Sequence, residues 1–134
     1  NISPNHSFSN KEGGIYFNIS GNILPLKVVI KKTSNKSRTI YINTTNKITF
    51  VSAKIGSWKI HKFIFKDDKE LLLNEAKYLK ISVSKINYIG TYSFKIKNNK
   101  YVYSVKNFTL EAKSILKDKY PNLVNKYTFI SLLN

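Results

Sequence analysis

Apolar and polar residues alternate with a period of two through most of this chain, and that pattern restricts it to a β-rich fold. Ile15, Phe17 and Ile19 fall on one side of a strand, with Tyr16, Asn18 and Ser20 on the other. Leu26, Val28 and Ile30 alternate with Lys27 and Lys31, Ile40 pairs in phase with Ile42, and Ile48 with Phe50. Turn formers punctuate these runs at Gly21-Asn22, Pro25, Ser34-Asn35-Lys36-Ser37 and Thr44-Thr45-Asn46. Short strands with turn signals every roughly 8–12 residues predict a sandwich or barrel.

Two stretches break the alternation. In Trp58-Lys-Ile-His-Lys-Phe-Ile-Phe65, Trp58 and Ile60 share one parity and Phe63 and Phe65 the other. Such a strand is either buried on both faces or shifted by a bulge near His61-Lys62. Lys66-Asp67-Asp68-Lys69-Glu70 then ends it, and Leu79, Ile81 and Val83 form a strand running into S-V-S-K-I-N-Y-I-G-T-Y-S-F, residues 82–94. Here Val83, Ile86, Tyr88 and Ile89 read as a buried strand entered through a turn at Ser84-Lys85. Gly90 permits a bulge or a close backbone approach, after which Tyr92, Phe94 and Ile96 resume the alternation. Asn98-Asn99 suits a tight hairpin, because Asn tolerates positive φ, with Tyr101, Tyr103 and Val105 on the returning strand.

The period changes after residue 107. Phe108, Ala112, Ile115 and Leu116 recur at helical spacing, Asn107 or Thr109 can cap the start, and Lys117 and Lys119 suit the C-terminal end. Pro121 stops the helix by pushing Tyr120 towards extended geometry. The tail Tyr127–Leu133 is a last strand or a second short helix. Residues 1–12 are polar, aperiodic and contain Pro4, which predicts a flexible leader before one β-sandwich domain over residues 13–134. The expected fold is mainly β: an antiparallel β-sandwich of about seven or eight strands with one short C-terminal helix over residues 108–119.

Composition narrows the chemistry. The absence of Cys removes disulfides, thiol catalysis and cysteine metal sites. No apolar run approaches the ~20 residues of a membrane-spanning helix. A chain that starts at Asn1 and contains no Met has lost its natural start, and if a secretory or lipoprotein signal was removed it lay just upstream. The formal net charge is +16, yet among 23 basic residues only Arg38 is arginine. Base and phosphate readers favour the bidentate Arg fork. AT-rich coding also enriches Lys, Asn and Ile together, so the charge alone identifies no ligand, although it favours anionic partners.

With these residues located, the second half resembles a class of small Gram-negative envelope lipoproteins with a transthyretin-like or carboxypeptidase-regulatory-like β-sandwich domain. Three segments between residues 56 and 123 carry the resemblance: the aromatic-led Trp58-Lys-Ile-His-Lys-Phe63, the strand–turn–strand Ile81-Ser-Val-Ser-Lys-Ile-Asn-Tyr-Ile-Gly90, and the helix Glu111-Ala-Lys-Ser-Ile-Leu116 followed by Tyr120-Pro121-Asn-Leu123. Family members often place glycine in the turn that Ser84-Lys85 fills here. The resemblance implies a non-catalytic binding or assembly module, with Trp58, Tyr88, Gly90 and Pro121 as structural motif residues and no catalytic residue carried over.

Direct readings of the residues agree on the lack of chemistry. His6 lies in the expected leader, and His61 has no nucleophile motif or metal-ligand spacing beside it. Asp67-Asp68-Lys69-Glu70 lacks the EF-hand spacing and reads as a solvated loop. Six Asn-x-Ser/Thr sequons are the chance expectation for so Asn- and Ser-rich a chain. Tyr41, Tyr88, Tyr92, Tyr101 and Tyr103 with Lys95, Lys97 and Lys100 form a conceivable stacking platform for single-stranded nucleic acid. The densest basic feature is the Lys97–Lys100 hairpin with Lys95 and Lys106 on its arms, a candidate contact for an anionic surface. The expectation is therefore a non-enzymatic, cofactor-free bacterial cell-envelope protein, lipid-anchored upstream of Asn1, binding another envelope protein or an anionic envelope component. The alternative is a basic nucleic-acid-binding β-domain.

Overall fold

The computed structural model describes residues 1–33, 39–44, 47–74 and 77–133. The loop expected at Ser34-Asn35-Lys36-Ser37, Arg38, and the Thr45-Asn46 part of the next turn lie outside the described residues. In chain order the elements are β1 (Glu12–Ser20), β2 (Lys27–Lys32), β3 (Thr39–Asn43), β4 (Ile48–Lys54), β5 (Gly56–Ile64), β6 (Glu70–Leu72), β7 (Leu79–Ile81), β8 (Lys85–Lys97), β9 (Lys100–Lys106), α1 (Thr109–Lys119), α2 (Pro121–Lys126) and β10 (Thr128–Ser131).

Among the described residues the strands form two five-stranded sheets. In the first, the order is β10-β8-β1-β4, with β9 also paired to β8. In the second, it is β3-β2-β5-β6, with β7 also paired to β5. The mainly β sandwich with a C-terminal helix is the architecture expected, and α1 begins within one residue of the expected start. The strand number is higher because the run expected from Leu79 onward is divided into β7 and β8, and because β6, of three residues, and β10, of four, are too short to show a period.

Two pairings are parallel, β1 with β8 and β10 with β8. An alternating pattern specifies faces and leaves direction open. Hairpins force antiparallel neighbours, whereas parallel ones need a long crossover. The chain supplies that crossover by building the whole second sheet between β1 and β8.

The interior between the sheets is filled by the positions the alternation assigns to one face. Ile15, Phe17, Val28, Ile30, Trp58, Ile60, Phe63, Tyr92 and Phe94 share one buried cluster. Phe63 and Phe94 meet edge-on at 4.8 Å, and Phe65 stacks on Tyr101 at 3.7 Å. Of the two causes the sequence leaves open for the parity switch in β5, the bulge is the one found. Val29 faces Lys62 and Ile30 faces Ile60, so His61 is the extra residue of a bulge, and both Trp58 and Phe63 point inward.

A second buried cluster lies on the other face of the first sheet. Tyr16, Phe50, Ile86 and Tyr88 pack there against Ala112, Leu116, Tyr120 and Leu123 of the helical segment. The Tyr16 hydroxyl donates to the Ala112 carbonyl at 2.8 Å. The fold thus has three layers, and β1 is buried on both faces. Pro121 does end α1, and it serves at the same time as the first turn of α2, where a missing N–H costs nothing.

Residues 1–12, expected as a flexible leader, are bonded to the domain, and the last of them, Glu12, opens β1. The Ile2 N–H donates to the Phe50 carbonyl at 2.8 Å, and the Asn1 side chain caps both Ile48 and Phe50 at the edge of β4. The Tyr120 hydroxyl donates to the Ile2 carbonyl at 3.0 Å, and the Phe8 ring is only 8% exposed beside Tyr127. Two apolar side chains and a set of backbone bonds hold a segment that reads as polar.

The run expected to continue from Leu79 through Val83 is also divided. β7 belongs to the second sheet and β8 to the first, and the chain crosses between them at Val83-Ser84. Val83 is 41% exposed rather than buried, and Ser84 takes φ 51°. Asn87 locks the crossing. Its Nδ2 donates to the carbonyls of Gly14 at 2.9 Å and Lys85 at 3.1 Å, while its Oδ1 accepts from the Ser82 N–H at 3.2 Å.

Candidate functional site

The hairpin of β8 and β9 carries the strongest concentration of exposed charge the sequence points to. Asn98 and Asn99 form its turn with φ of 52° and 62°, so Lys97 pairs directly with Lys100. That register decides which side chains share a face. Lys95 faces Val102, Ser93 faces Ser104, and Thr91 faces Lys106. Directly opposed residues project to the same side, and every second residue of a strand does so too. Lys95, Lys97, Lys100 and Lys106 therefore all stand on one exposed face, and the opposite face turns Phe94, Tyr92 and Tyr103 towards the sandwich. Among the described residues the only ion pair is Lys62 with Glu70 at 2.6 Å, so none of the four lysines is neutralised by a carboxylate.

The four motif residues act as structure. Trp58 is buried, its indole N–H donating to the Lys54 carbonyl at 2.8 Å, with the Lys32 ammonium 5.8 Å from its ring. Tyr88 joins three elements: its hydroxyl shares a 2.6 Å hydrogen bond with Thr91, donates to the Lys106 carbonyl and accepts from the Phe108 N–H at 3.1 Å. It thereby sets where α1 leaves β9. Asn107 and Thr109 bond to each other, but neither caps the helix backbone, and Phe108 occupies the cap position.

Gly90 sits at a bulge, as its place in the strand suggests. Tyr16 faces Tyr88 and Asn18 faces Thr91, so Ile89 and Gly90 together oppose the single residue Phe17. The backbone there has φ 125°, and a Cβ would stand 2.4 Å from Val105 Cγ2. On its other edge β8 changes partner at the same point. β10 pairs with it from Lys85 to Tyr88, and β9 from Thr91 to Lys97.

Two hollows flank α1 and this change of partner. One, of about 380 Å³, opens between the sheets beside Val105 and Leu133. The other, of about 390 Å³, is a groove between the end of β1 and the start of α1, floored by Ile19, Ile48 and Ala112 with Phe108 and Ile115 on its wall. Asn18 lines this groove, and its buried Oδ1 has no hydrogen-bond partner among the described residues. Neither hollow was visible in the sequence, because each lies between segments far apart in the chain.

The proposed stacking platform does not assemble. Tyr88 and Tyr92 are buried, Tyr101 is stacked on Phe65, and only Tyr41 of that group is broadly exposed, at 69%. His61 is the bulged residue of β5. Burial, with the charges of Lys31 and Lys62, lowers its pKa below the ordinary value, against the opposing pull of Glu70. Asp67 accepts hydrogen bonds from the Lys69 N–H and the Tyr101 hydroxyl, so the acidic loop closes on itself and on β9. No cluster of three or more His, Asp or Glu side chains able to hold a metal occurs among the described residues. Compared with known proteins, the chain matches no family model, no curated protein and no solved structure.

Proposed function

We propose that this protein is a non-enzymatic binding module of the bacterial cell envelope, held there by a lipid anchor upstream of Asn1, that engages an anionic envelope component or partner through the lysine face of the β8–β9 hairpin. The observation that carries the reading is the register of that hairpin, which puts Lys95, Lys97, Lys100 and Lys106 on one exposed face without carboxylate partners among the described residues. The envelope setting rests on the resemblance of residues 56–123.

The choice of lysine suits this role. An ammonium is a compact, strongly hydrated charge that attracts a diffuse anionic surface without demanding a fixed geometry. Each Lys near such a surface contributes about 1 kcal/mol, so four contribute about 4 kcal/mol, close to a thousandfold in affinity. Co-sedimentation with phosphatidylglycerol vesicles and with neutral phosphatidylcholine vesicles, at about 0.05 M and about 0.5 M salt, tests it. Binding to the anionic vesicles alone, lost at high salt, is expected. Changing the four lysines to Gln abolishes it, whereas changing Lys113, Lys117, Lys119 and Lys126 to Gln leaves most of it. Equal loss in both variants, or binding insensitive to salt, overturns the reading.

A further inference from the structure

The hollow between the sheets has a construction that points to a ligand of a particular kind. It exists because the edge of β8 is shared: β10 covers its first half, β9 covers its second, and the two leave a gap at Ile89-Gly90. A side chain at Gly90 would reach into the space between Val105 and Leu133, so the glycine keeps that gap open. Behind it, Ile60 and Leu79 from the second sheet, Ile89 and Val105 from the first, and Leu132 and Leu133 from the tail line about 380 Å³. That volume lies within the roughly 300–1,000 Å³ of small-molecule sites.

The polar groups are few, and they are not aliphatic wall. Leu73 adds to the aliphatic wall, and Lys77, Tyr92, Tyr103 and Asn107 complete the lining, the Tyr92 hydroxyl donating to the Ile89 carbonyl. Lys77 is exposed and has no carboxylate partner among the described residues, and the Tyr103 hydroxyl makes no hydrogen bond among them. An apolar interior with one cation and three neutral hydrogen-bonding side chains is complementary to a molecule with an aliphatic tail and a single anionic head. The net charge of +16 favours the same sign of head group.

We propose that this cleft binds one single-chain anionic amphiphile, a fatty-acid-like molecule, with its tail between the sheets and its carboxylate at Lys77. The site is separate from the lysine face of the hairpin and does not depend on its function. Dodecanoate below its micelle-forming concentration is the probe, followed by titration calorimetry on the whole chain. Saturable binding at one site per molecule is expected. Lys77→Glu weakens it about tenfold or more, the value of one charge-assisted contact replaced by repulsion. Val105→Phe fills the cleft and abolishes binding; if that variant melts early, Leu133→Phe from the other wall serves the same purpose. The variant with Gln at Lys95, Lys97, Lys100 and Lys106 retains dodecanoate binding even where vesicle binding is lost, which separates the two sites. Absence of saturable binding, unchanged affinity in Lys77→Glu, or binding that survives a folded filled-cleft variant overturns the proposal.

Discussion

Replacing Gly90 by alanine tests the bulge and the gap beside it together. The backbone at this residue has φ 125°, a region open almost only to glycine, and an L side chain there costs about 1–3 kcal/mol. The added Cβ also stands 2.4 Å from Val105 Cγ2 and 3.2 Å from Leu133 Cδ1. Val105 lies at the surface end of β9 and can turn its methyl away, so the overpacking cost sits at the low end of the usual range, about 1 kcal/mol. The two add to about 3 kcal/mol. For a domain of this length one kcal/mol moves the melting temperature by roughly 4 °C, so Gly90→Ala should melt about 10 °C lower. Far-UV circular dichroism during reversible heating, with a urea midpoint at fixed temperature, measures it. A second substitution divides the sum. Val105→Ala removes the colliding methyl, so in the Gly90→Ala background it returns the steric part and leaves the backbone part. A Gly90→Ala protein that melts within 2 °C of the parent (about half a kcal/mol) refutes the reasoning. A double variant no better than the sum of the singles refutes the steric half of it.

Two further outcomes follow from buried polar groups and from charge. Asn87→Leu, nearly isosteric, strips the hydrogen bonds that Gly14, Ser82 and Lys85 make at the sheet crossing; a loss of about 3 kcal/mol in urea-derived stability is expected, and a loss under 1 kcal/mol would show that the crossing does not need them. The pKa of His61 is lowered by burial and by Lys31 and Lys62, so between the ordinary value of 6.5 and the lower folded value the unfolded chain takes up the proton first. Its contribution is therefore present above pH 6.5 and is lost as pH falls, and His61→Gln should show a shallower fall in urea midpoint from about pH 7 to about pH 5 than the parent; parallel curves would dismiss it.

The alternation made much of this fold legible before any coordinates. The parity change between Ile60 and Phe63 marks a bulge at His61, and the glycine inside an apolar strand marks another at Gly90. Asn98-Asn99 defines a two-residue turn, and from that turn alone the four lysines fall on one face. What the pattern could not show was the covering of the first sheet. Tyr16 and Phe50 stand on the outer side of their strands, and their burial depends on helices and an N-terminal segment that arrive from both ends of the chain. The crossing at Val83-Ser84 was hidden for a related reason. A chain that passes from one sheet to another can keep its alternation, so Leu79, Ile81 and Val83 remain in phase although they do not share a strand. The cleft beside Gly90 leaves no mark in the sequence because it is made by the ends of two strands far apart in the chain.

The central position of β1 has a consequence for how the molecule comes to be made. Its hydrogen-bonded neighbour on one side is β4, close behind it, but on the other side it waits for β8, with Asn87 reaching back to Gly14 across 73 positions. During synthesis from the N-terminus this doubly buried strand is complete long before the strand that covers its second edge has emerged. Until then its unpaired N–H and C=O groups are a template for any other extended chain. The long sequence separation also slows closure of the first sheet, since the entropy of a loop containing the entire second sheet is lost before that pairing forms. A nascent chain of this design spends its most vulnerable interval with one sheet able to close and the other held open for its last-made partners.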